Sequence, residues 1–185
     1  MPEPPLLFVD HHGRIRERPA HRPPQSRSGI HVVLTCHGNL LLTRPPGGTW
    51  LELPGGGIEA GESVEEALRR ELREEAGVHL PRDWLVAAGE TRFASRYYAS
   101  SRDAYWLYDQ RFRLVHLSQR PQLGTPEEDG HQPEWVAIAA LHERRIHHVH
   151  RLGVDRLLGL HAVGDTPAAA DGGEGTARMH ALNTE

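Results

Sequence analysis

Several features that define other classes of protein are missing from this chain of 185 residues. Its single cysteine, Cys36, excludes an intramolecular disulfide framework and suits a reducing compartment, so we expect a cytoplasmic protein. No apolar run approaches the roughly 18 residues of a membrane span, and the first residues lack the pattern of a signal peptide. The net charge of −4 gives no general reason to expect nucleic-acid or membrane binding. All 21 basic residues are arginine, which we interpret as coding bias.

Two catalytic motifs are missing as well. The glycine triplet Gly55–Gly57 is not followed by the Gly-Lys-Ser/Thr of a P-loop, which argues against a phosphate cradle of that kind. Near the end of the chain lie the histidines His142, His147, His148 and His150. No HExxH motif or Cys/His set accompanies them, so surface or interface histidines are favoured over a zinc site. Cys36 ends an apolar run and is predicted to be a buried thiol.

The stretch from Gly55 to Val78 carries the strongest signal in the chain. Ser63 is predicted to cap the start of a helix, and Glu66 completes a capping box with it. Gly77 stands where that helix would end on a left-handed residue. Apolar residues share one face of this helix at a spacing of about 100° per residue. They are Val64, Ala67, Leu68, Leu72 and Ala76.

Three carboxylates occupy this inward face. Glu71 and Glu75 lie within the apolar stripe, and Glu74 lies at its edge. Like charges at i,i+4 destabilise a helix, and burial penalises them further unless they are paired or bind metal. A divalent cation resolves both problems, so the pattern predicts an Mg²⁺ or Mn²⁺ site. The alternative is a solvated helix held by Glu66–Arg70 and Arg70–Glu74 pairs, which the inward placement disfavours.

The same stretch resembles the Nudix box, G-x5-E-x7-R-E-U-x-E-E-x-G-U with U aliphatic. The matching residues are Gly56, Glu62, Arg70, Glu71, Leu72, Glu74, Glu75, Gly77 and Val78. The resemblance implies an α/β/α sandwich with a mixed β-sheet and a loop–helix–loop catalytic motif. It also implies hydrolysis of the pyrophosphate in a nucleoside diphosphate linked to another group X.

The resemblance further implies roles for individual residues. Glu71, Glu74 and Glu75 would hold the cation, and the carbonyl of Gly55 would be a further ligand. Either Glu71 or Glu75 would act as the general base. Arg70 would orient a carboxylate rather than touch substrate, and Glu62 would serve the loop or the outer shell of the metal.

A second source of acidic groups is the polar loop over residues 118–132, which is long enough to suggest a role at the site. Similar proteins sometimes draw their base from a loop outside the box, and this loop could supply it here. Glu127 and Glu128 in the loop, and Glu134 beyond it, are candidates for an extra metal ligand or base. For any single one of them, an ordinary solvated carboxylate is the favoured reading.

The rest of the chain predicts one domain over residues 29–161, after a partly irregular N-terminal extension over 1–28 and before a disordered tail over 162–185. Residues 6–9 could form a short strand, whereas the Arg- and Pro-rich residues 14–28 are predicted to be irregular. The other predicted strands are residues 30–36, 40–44, 50–53, 84–93, 104–117 and 133–138, and a helix is predicted over 141–160.

Substrate recognition is least constrained by the sequence. Candidate contacts are Arg44, Trp50, Tyr97 and Glu134. In the predicted hairpin over 94–103, Tyr97 and Tyr98 could stack on a base and Arg96 or Arg102 could meet a phosphate, with loop structure as the favoured alternative. Nucleoside triphosphates, ADP-ribose, nucleotide sugars, dinucleoside polyphosphates and RNA caps stay open, although nucleic acid in general is not expected. The oligomeric state also stays open, with a homodimer as one candidate.

Two rival functions are weighed against hydrolysis. One is a Nudix-type module that senses a nucleotide without turnover, which an intact box disfavours. The other is a helical interaction protein without enzymatic activity, which the strand-rich pattern disfavours.

Overall fold

The structure is a computed structural model that describes residues 6–10, 13–100 and 102–160, with only the backbone of Arg82. The described residues form eight strands and two α-helices. They are β1 (Leu7–Val9), β2 (Ile15–Glu17), β3 (Gln25–Cys36), β4 (Asn39–Arg44), β5 (Gly55–Gly57), α1 (Val64–Ala76), β6 (Gly89–Ala99), β7 (Ala104–Leu117), β8 (Gln132–Ala137) and α2 (His148–Leu158). Short 3₁₀ helices span Arg82–Trp84 and Ile138–Glu143. No described helix is long and apolar enough to cross a membrane.

All eight described strands join one mixed sheet, in which seven follow the order β2-β1-β6-β7-β3-β4-β8 and β5 pairs with β3 beside this path. Strand β3 lies at its centre and runs parallel to β7 along its whole length. Its other edge is shared by two partners, since β5 pairs with Gly29–His31 and β4 with Thr35 and Cys36. The predicted strand over 30–36 and its hairpin with residues 40–44 are therefore confirmed. This division brings the glycine loop beside the middle of the sheet.

The two faces of the sheet carry separate cores, because successive side chains of β3 point to opposite faces. Val32 and Leu34 pack with Leu68 and Leu72 of α1 on one face. Val33 packs on the other face in a core that includes Val149 and Val154 of α2. Cys36 is buried in the first core, as predicted. The α/β/α sandwich expected from the sequence is confirmed.

The N-terminal residues are more regular than the sequence suggested. The expectation of irregular structure over residues 14–28 is wrong for β2 and for the start of β3. Strands β1 and β2 form an antiparallel edge of the sheet, and the buried Asp10 carboxylate accepts hydrogen bonds from Arg14 Nε at 2.9 Å and Arg16 Nε at 3.4 Å. These ion pairs allow an Arg-rich segment to lie on the sheet.

Three other boundaries also differ from the predictions. Strand β6 begins at Gly89 rather than Trp84 and continues through the aromatic pair Tyr97–Tyr98 to Ala99, so the hairpin turn is shorter than expected. Residues 50–53 make only isolated bridges, from Glu52 to Thr43 and from Leu51 to Ile146. Within 141–160, the α-helix is restricted to His148–Leu158. The predicted tail over 162–185 lies outside the described residues.

Candidate active site

Helix α1 places its carboxylates where the sequence predicted. Ser63 caps its first turn and forms a capping box with Glu66, and Gly77 ends it at a φ of 61°. The apolar face packs on the sheet, which turns Glu71 inward until only 7% of the residue is exposed. Glu75 follows one turn later on the same face. The helix therefore delivers both side chains to one buried edge of the core.

Arg70 organises the acidic residues around it. Its Nε and Nη2 donate to the two carboxylate oxygens of Glu62 at 2.9 and 3.0 Å. Its Nη1 donates to Glu71 Oε1 at 2.8 Å and to Glu74 Oε2 at 3.0 Å. Its Nη2 also donates to the carbonyl of Gly57 at 2.8 Å. Glu71 and Glu74 thus each have one oxygen fixed by the guanidinium, and no hydrogen bond from the described residues reaches their other oxygen.

The glycine loop approaches these carboxylates closely. The backbone N–H of Gly55 donates to Glu75 Oε2 at 3.1 Å. A Cβ atom on Gly56 would lie 2.5 Å from Glu71 Oε1, so no side chain fits there while Glu71 keeps its position. Strand β5 holds this loop against β3. The glycines therefore serve close approach of backbone to carboxylate rather than loop flexibility.

The electrostatics of this cluster favour a bound cation. Burial raises the pKa of Glu75 well above its usual range, and the charge of Glu71 raises it further, although the Gly55 N–H opposes both. Burial also raises the pKa of Glu71 against the opposing effect of Arg70. Nearby, burial raises the pKa of Glu52 to about 7. These carboxylates lack enough positive charge among their protein neighbours, and a divalent cation would supply it.

The loop over 118–132 docks on the end of α1. Its adjacent residues Glu127 and Glu128 place their side chains in different surroundings. The backbone N–H of Glu128 donates to the carbonyl of Glu74 at 2.9 Å, and its side chain lines the cleft beside the glycine loop. The Glu127 side chain instead pairs with Arg73 at 2.8 Å on the outside. Of these two candidates, only Glu128 lies at the site.

Glu75, Glu128 and His131 together form a potential metal-binding group. Each offers one ligand atom, and these atoms lie within 4.8 Å of one another. His131 was not anticipated from the sequence, because a lone histidine in a polar loop carries no metal signature. With Glu71 lining the same cleft, the donor set is mainly carboxylate oxygen with one imidazole nitrogen. This set fits Mg²⁺ or Mn²⁺, and the nitrogen favours Mn²⁺.

His131 lies between Thr43 and Glu128. Its Nδ1 is 3.4 Å from the Thr43 hydroxyl, which donates to the Glu75 carbonyl oxygen at 3.2 Å. Its Nε2 is 3.3 Å from Glu128 Oε2. Burial lowers the pKa of His131, and Glu128 opposes this effect. These contacts hold the imidazole beside the carboxylates with which it would share a cation.

The carboxylates open into a cleft of about 480 Å³. Tyr97 lines it, as the sequence suggested, but Arg44, Trp50 and Glu134 are not among its described lining residues. Glu134 instead pairs with Arg144 at 3.0 Å and Arg44 at 3.8 Å on the exposed side of β8. Trp50 lies under the guanidinium of Arg145 at 4.5 Å. The structure therefore separates three of the four proposed substrate contacts from the cleft.

Of the four histidines predicted at surface or interface positions, His147 and His150 instead line the inner end of the cleft with His31, whereas His142 and His148 are exposed. His147 and His150 are buried, with ring centroids 4.5 Å apart, and His31 lies 4.3 Å from His150. Burial lowers the pKa of His31 to about 3, so its ring is neutral. Neither ring nitrogen of His31, nor Gln110 Oε1, makes a hydrogen bond of standard geometry with the described residues. The position of His31 inside an apolar run was the signal that could have indicated its burial.

Comparison with known proteins places this arrangement in context. A family model described as NUDIX domain matches residues 24–157. The RNA pyrophosphohydrolase of Cellvibrio japonicus is 48% identical over 65 residues, which cover 34% of this chain and 37% of that protein. The nucleoside triphosphatase NudI of Escherichia coli is 64% identical over 33 residues, covering 18% and 23%. The matched segments thus span well under half of either curated relative.

Solved structures share the fold over a longer range. A bifunctional NMN adenylyltransferase/ADP ribose pyrophosphatase from Francisella tularensis aligns with a TM-score of 0.57 at 19% identity, covering 75% of this chain and 42% of that one. A MutT NUDIX hydrolase from Burkholderia pseudomallei aligns at 0.52 with 25% identity, covering 72% and 98%. The NUDIX domain of Shewanella oneidensis NrtR, solved with ADP ribose, aligns at 0.52 with 18% identity, covering 77% and 92%.

Proposed function

Because this chain belongs to the Nudix family, we propose that it hydrolyses the pyrophosphate linkage of a nucleoside diphosphate joined to a further group X, with the aid of Mg²⁺ or Mn²⁺. The observation that carries the proposal is the carboxylate cluster against the glycine loop. Glu71 and Glu75 project from α1 into the cleft beside Gly55–Gly57, and Glu128 joins them from the docked loop. Such a convergence of acidic oxygens suits metal-assisted phosphoryl chemistry.

Glu71, Glu74 and Glu75 would hold the cation, with Glu128, His131 and the Gly55 carbonyl as further ligands. A divalent cation bound here would offset the negative charge of the pyrophosphate oxygens and so permit attack by a nucleophile. Arg70 acts through the carboxylates that it orients, since its hydrogen bonds to the described residues go to Glu62, Glu71, Glu74 and the Gly57 carbonyl. It is therefore a positioning residue.

The reaction requires a water molecule and a base to accept its proton. The water oxygen forms a bond to one phosphorus, and the bond from that phosphorus to the bridging oxygen breaks. The bridging oxygen leaves with the electron pair on the other phosphate. A buried carboxylate with a raised pKa accepts the water proton more readily than an ordinary one. Glu71, Glu75 and Glu128 are the candidates for this role.

A hydrolysis panel tests the proposal. The native chain is incubated with nucleoside triphosphates, ADP-ribose, nucleotide sugars, dinucleoside polyphosphates and capped RNA, each with Mg²⁺, with Mn²⁺ and with EDTA. Metal-dependent release of a nucleoside phosphate and the complementary phosphate of X, resolved by ion-exchange chromatography, is the expected result. Nucleotide binding without product from any substrate would instead support the sensing module.

A further inference from the structure

Two arginines in the cleft differ from three ion-paired arginines around α1. Arg70, Arg73 and Arg113 each form ion pairs with glutamates at 3.0 Å or less. Arg27 and Arg102 also line the cleft, yet neither forms an ion pair with a carboxylate among residues 6–10, 13–100 and 102–160. Cationic side chains left unpaired in a concave site provide a charge that a ligand can complement.

Both arginines lie against the same aromatic ring. The guanidinium carbon of Arg27 is 4.6 Å from the ring centroid of Trp106, and that of Arg102 is 5.7 Å from it. Arg27 is also 5.7 Å from the ring of Tyr108. Contact with an aromatic face fixes a planar guanidinium while leaving its N–H groups available to an anion. Trp106 therefore gathers the two charges on one wall of the cleft.

This wall adjoins the catalytic carboxylates. The Nη2 atom of Arg27 is 3.0 Å from the position that a Cβ atom on Gly57 would take. Gly57 in turn accepts a hydrogen bond from Arg70 through its carbonyl. Arg27 thus lies beside the loop that closes over Glu71 and Glu75, without pairing with either. An anionic group attached to the pyrophosphate would be within reach of this wall while the pyrophosphate itself stays at the carboxylates.

We propose that Arg27, Arg102 and Trp106 form an anion-binding subsite that holds a further phosphate of the substrate, beyond the pyrophosphate that is cut. The inference rests on the proposed function and narrows its substrate class. It favours substrates with an additional phosphate, such as nucleoside triphosphates, 5′-triphosphorylated RNA ends or compounds in which X is itself phosphorylated. Substrates with an uncharged X, such as ADP-ribose or a nucleotide sugar, leave the subsite empty. Arginine suits this role because its donors match two phosphate oxygens.

Matched ligands that differ by one phosphate test the subsite by equilibrium binding. The probes are α,β-methylene-ADP and α,β-methylene-ATP, with inorganic pyrophosphate and tripolyphosphate as a pair that needs no base recognition. Isothermal titration calorimetry in the presence of Mg²⁺ gives the dissociation constants. The native protein is expected to bind the longer member of each pair at least tenfold more tightly. Equal affinity within both pairs overturns the proposal without a variant being needed.

Variants then assign the effect to the two arginines. Arg27→Gln and Arg102→Gln are each expected to reduce the preference for the extra phosphate by about tenfold and to leave the affinity for the shorter probe within twofold. Arg102 is exposed, so its replacement leaves the core intact. Arg156→Gln, an exposed change on α2 outside the cleft lining, is the matched control and should keep the native preference. A preference that persists in both cleft variants overturns the assignment.

The same samples separate this inference from the proposed function. Metal-dependent turnover with no preference for the longer probes would refute the subsite and leave the hydrolase proposal standing. A strong preference for the longer probes without turnover on any substrate would support the subsite and refute the hydrolase.

Discussion

Arg70 and Glu62 form a two-point ion pair that joins the middle of α1 to the loop before it. The Nε and Nη2 atoms of Arg70 donate to the two oxygens of Glu62 at 2.9 and 3.0 Å. This pairing leaves Nη1 directed at Glu71 and Glu74. A single guanidinium plane therefore sets the orientation of two ligand candidates, and Glu62 sets the orientation of the guanidinium. The geometry gives a role to Glu62 without placing it in the cleft.

Replacing Arg70 with lysine should weaken metal binding and activity together. A lysine ammonium cannot reproduce the planar fork that contacts Glu62, Glu71 and Glu74 at once. Loss of a group that orients metal ligands typically reduces metal affinity or activity by about 10- to 100-fold. Titration with Mn²⁺, followed by steady-state kinetics, measures both effects. Arg69→Lys on the exposed side of α1 is the control, and equal behaviour of the two variants would contradict the positioning role.

Gly56→Ala should displace Glu71 and reduce activity. The new methyl group would lie 2.5 Å from Glu71 Oε1, and the flexible carboxylate would move in response. Since only a side-chain end needs to shift, we expect turnover to fall by at least about tenfold, because a small misplacement of a catalytic group carries a large penalty. The free energy of unfolding should change by less than about 1 kcal/mol.

Gly89→Ala provides the matched control for this substitution. The nearest heavy atom to a Cβ on Gly89 is Leu157 Cδ2 at 3.6 Å, an ordinary contact. This variant should keep native turnover. If Gly56→Ala also kept native turnover, the observed position of the Glu71 carboxylate would not be required for activity.

Glu128→Gln should weaken Mn²⁺ binding, whereas Glu127→Gln should not. Glu128 shares a ligand group with Glu75 and His131, while the adjacent Glu127 pairs with Arg73 outside the cleft. Replacing one anionic ligand with an amide should lower the affinity by at least about tenfold. Mn²⁺ electron paramagnetic resonance reports free and bound metal directly and needs no substrate. An equal loss of affinity in both variants would place the metal elsewhere.

Glu52 should make the metal-free protein less stable as the pH rises. Burial raises its pKa in the folded state to about 7, above the value of 4.5 expected in the unfolded chain. The folded state therefore binds the proton more tightly, and stability falls as the pH rises from about 4.5 through 7. By pH 8 the resulting loss in the free energy of unfolding is on the order of 3 kcal/mol.

Urea unfolding in EDTA at pH 4.5 and pH 8 measures this effect. Between pH 4.5 and pH 8, the free energy of unfolding of Glu52→Gln should rise relative to that of the native protein by on the order of 3 kcal/mol, because glutamine does not titrate. Glu143→Gln, at an exposed position, should show no such gain. An unchanged difference between Glu52→Gln and the native protein at both pH values would mean that the Glu52 pKa is ordinary.

The helix at the site was predictable from sequence because its signals are local. The Ser63–Glu66 capping box and Gly77 fix its ends, and the helical period fixes which carboxylates face inward. These features depend on residues a few positions apart, and they agree with one another. The central strand was predictable for a similar reason, since a continuous apolar run is typical of a strand buried on both faces.

The remainder of the cleft was not predictable, because it depends on contacts between distant segments. Arg27 and Trp106 meet through the parallel pairing of β3 with β7, in which Gln25 lies opposite Trp106. His131 reaches Glu75 only because the long loop docks on the end of α1. Arg44, Trp50 and Glu134 had suitable chemistry for substrate contacts but lie on other surfaces. Residue type alone could not decide which side chains share the cleft.

The central claim, that the carboxylate cluster hydrolyses a pyrophosphate with the aid of a divalent cation, is tested most directly at Glu75. The measurement is turnover of the best nucleotide substrate by the native chain and by Glu75→Gln, with Mg²⁺ or Mn²⁺ and with EDTA, using Glu143→Gln as the control. The account predicts metal-dependent turnover that falls by about three orders of magnitude or more in Glu75→Gln and is retained in Glu143→Gln. Metal-dependent turnover that survives unchanged in Glu75→Gln would contradict it and would move the active site away from this cluster.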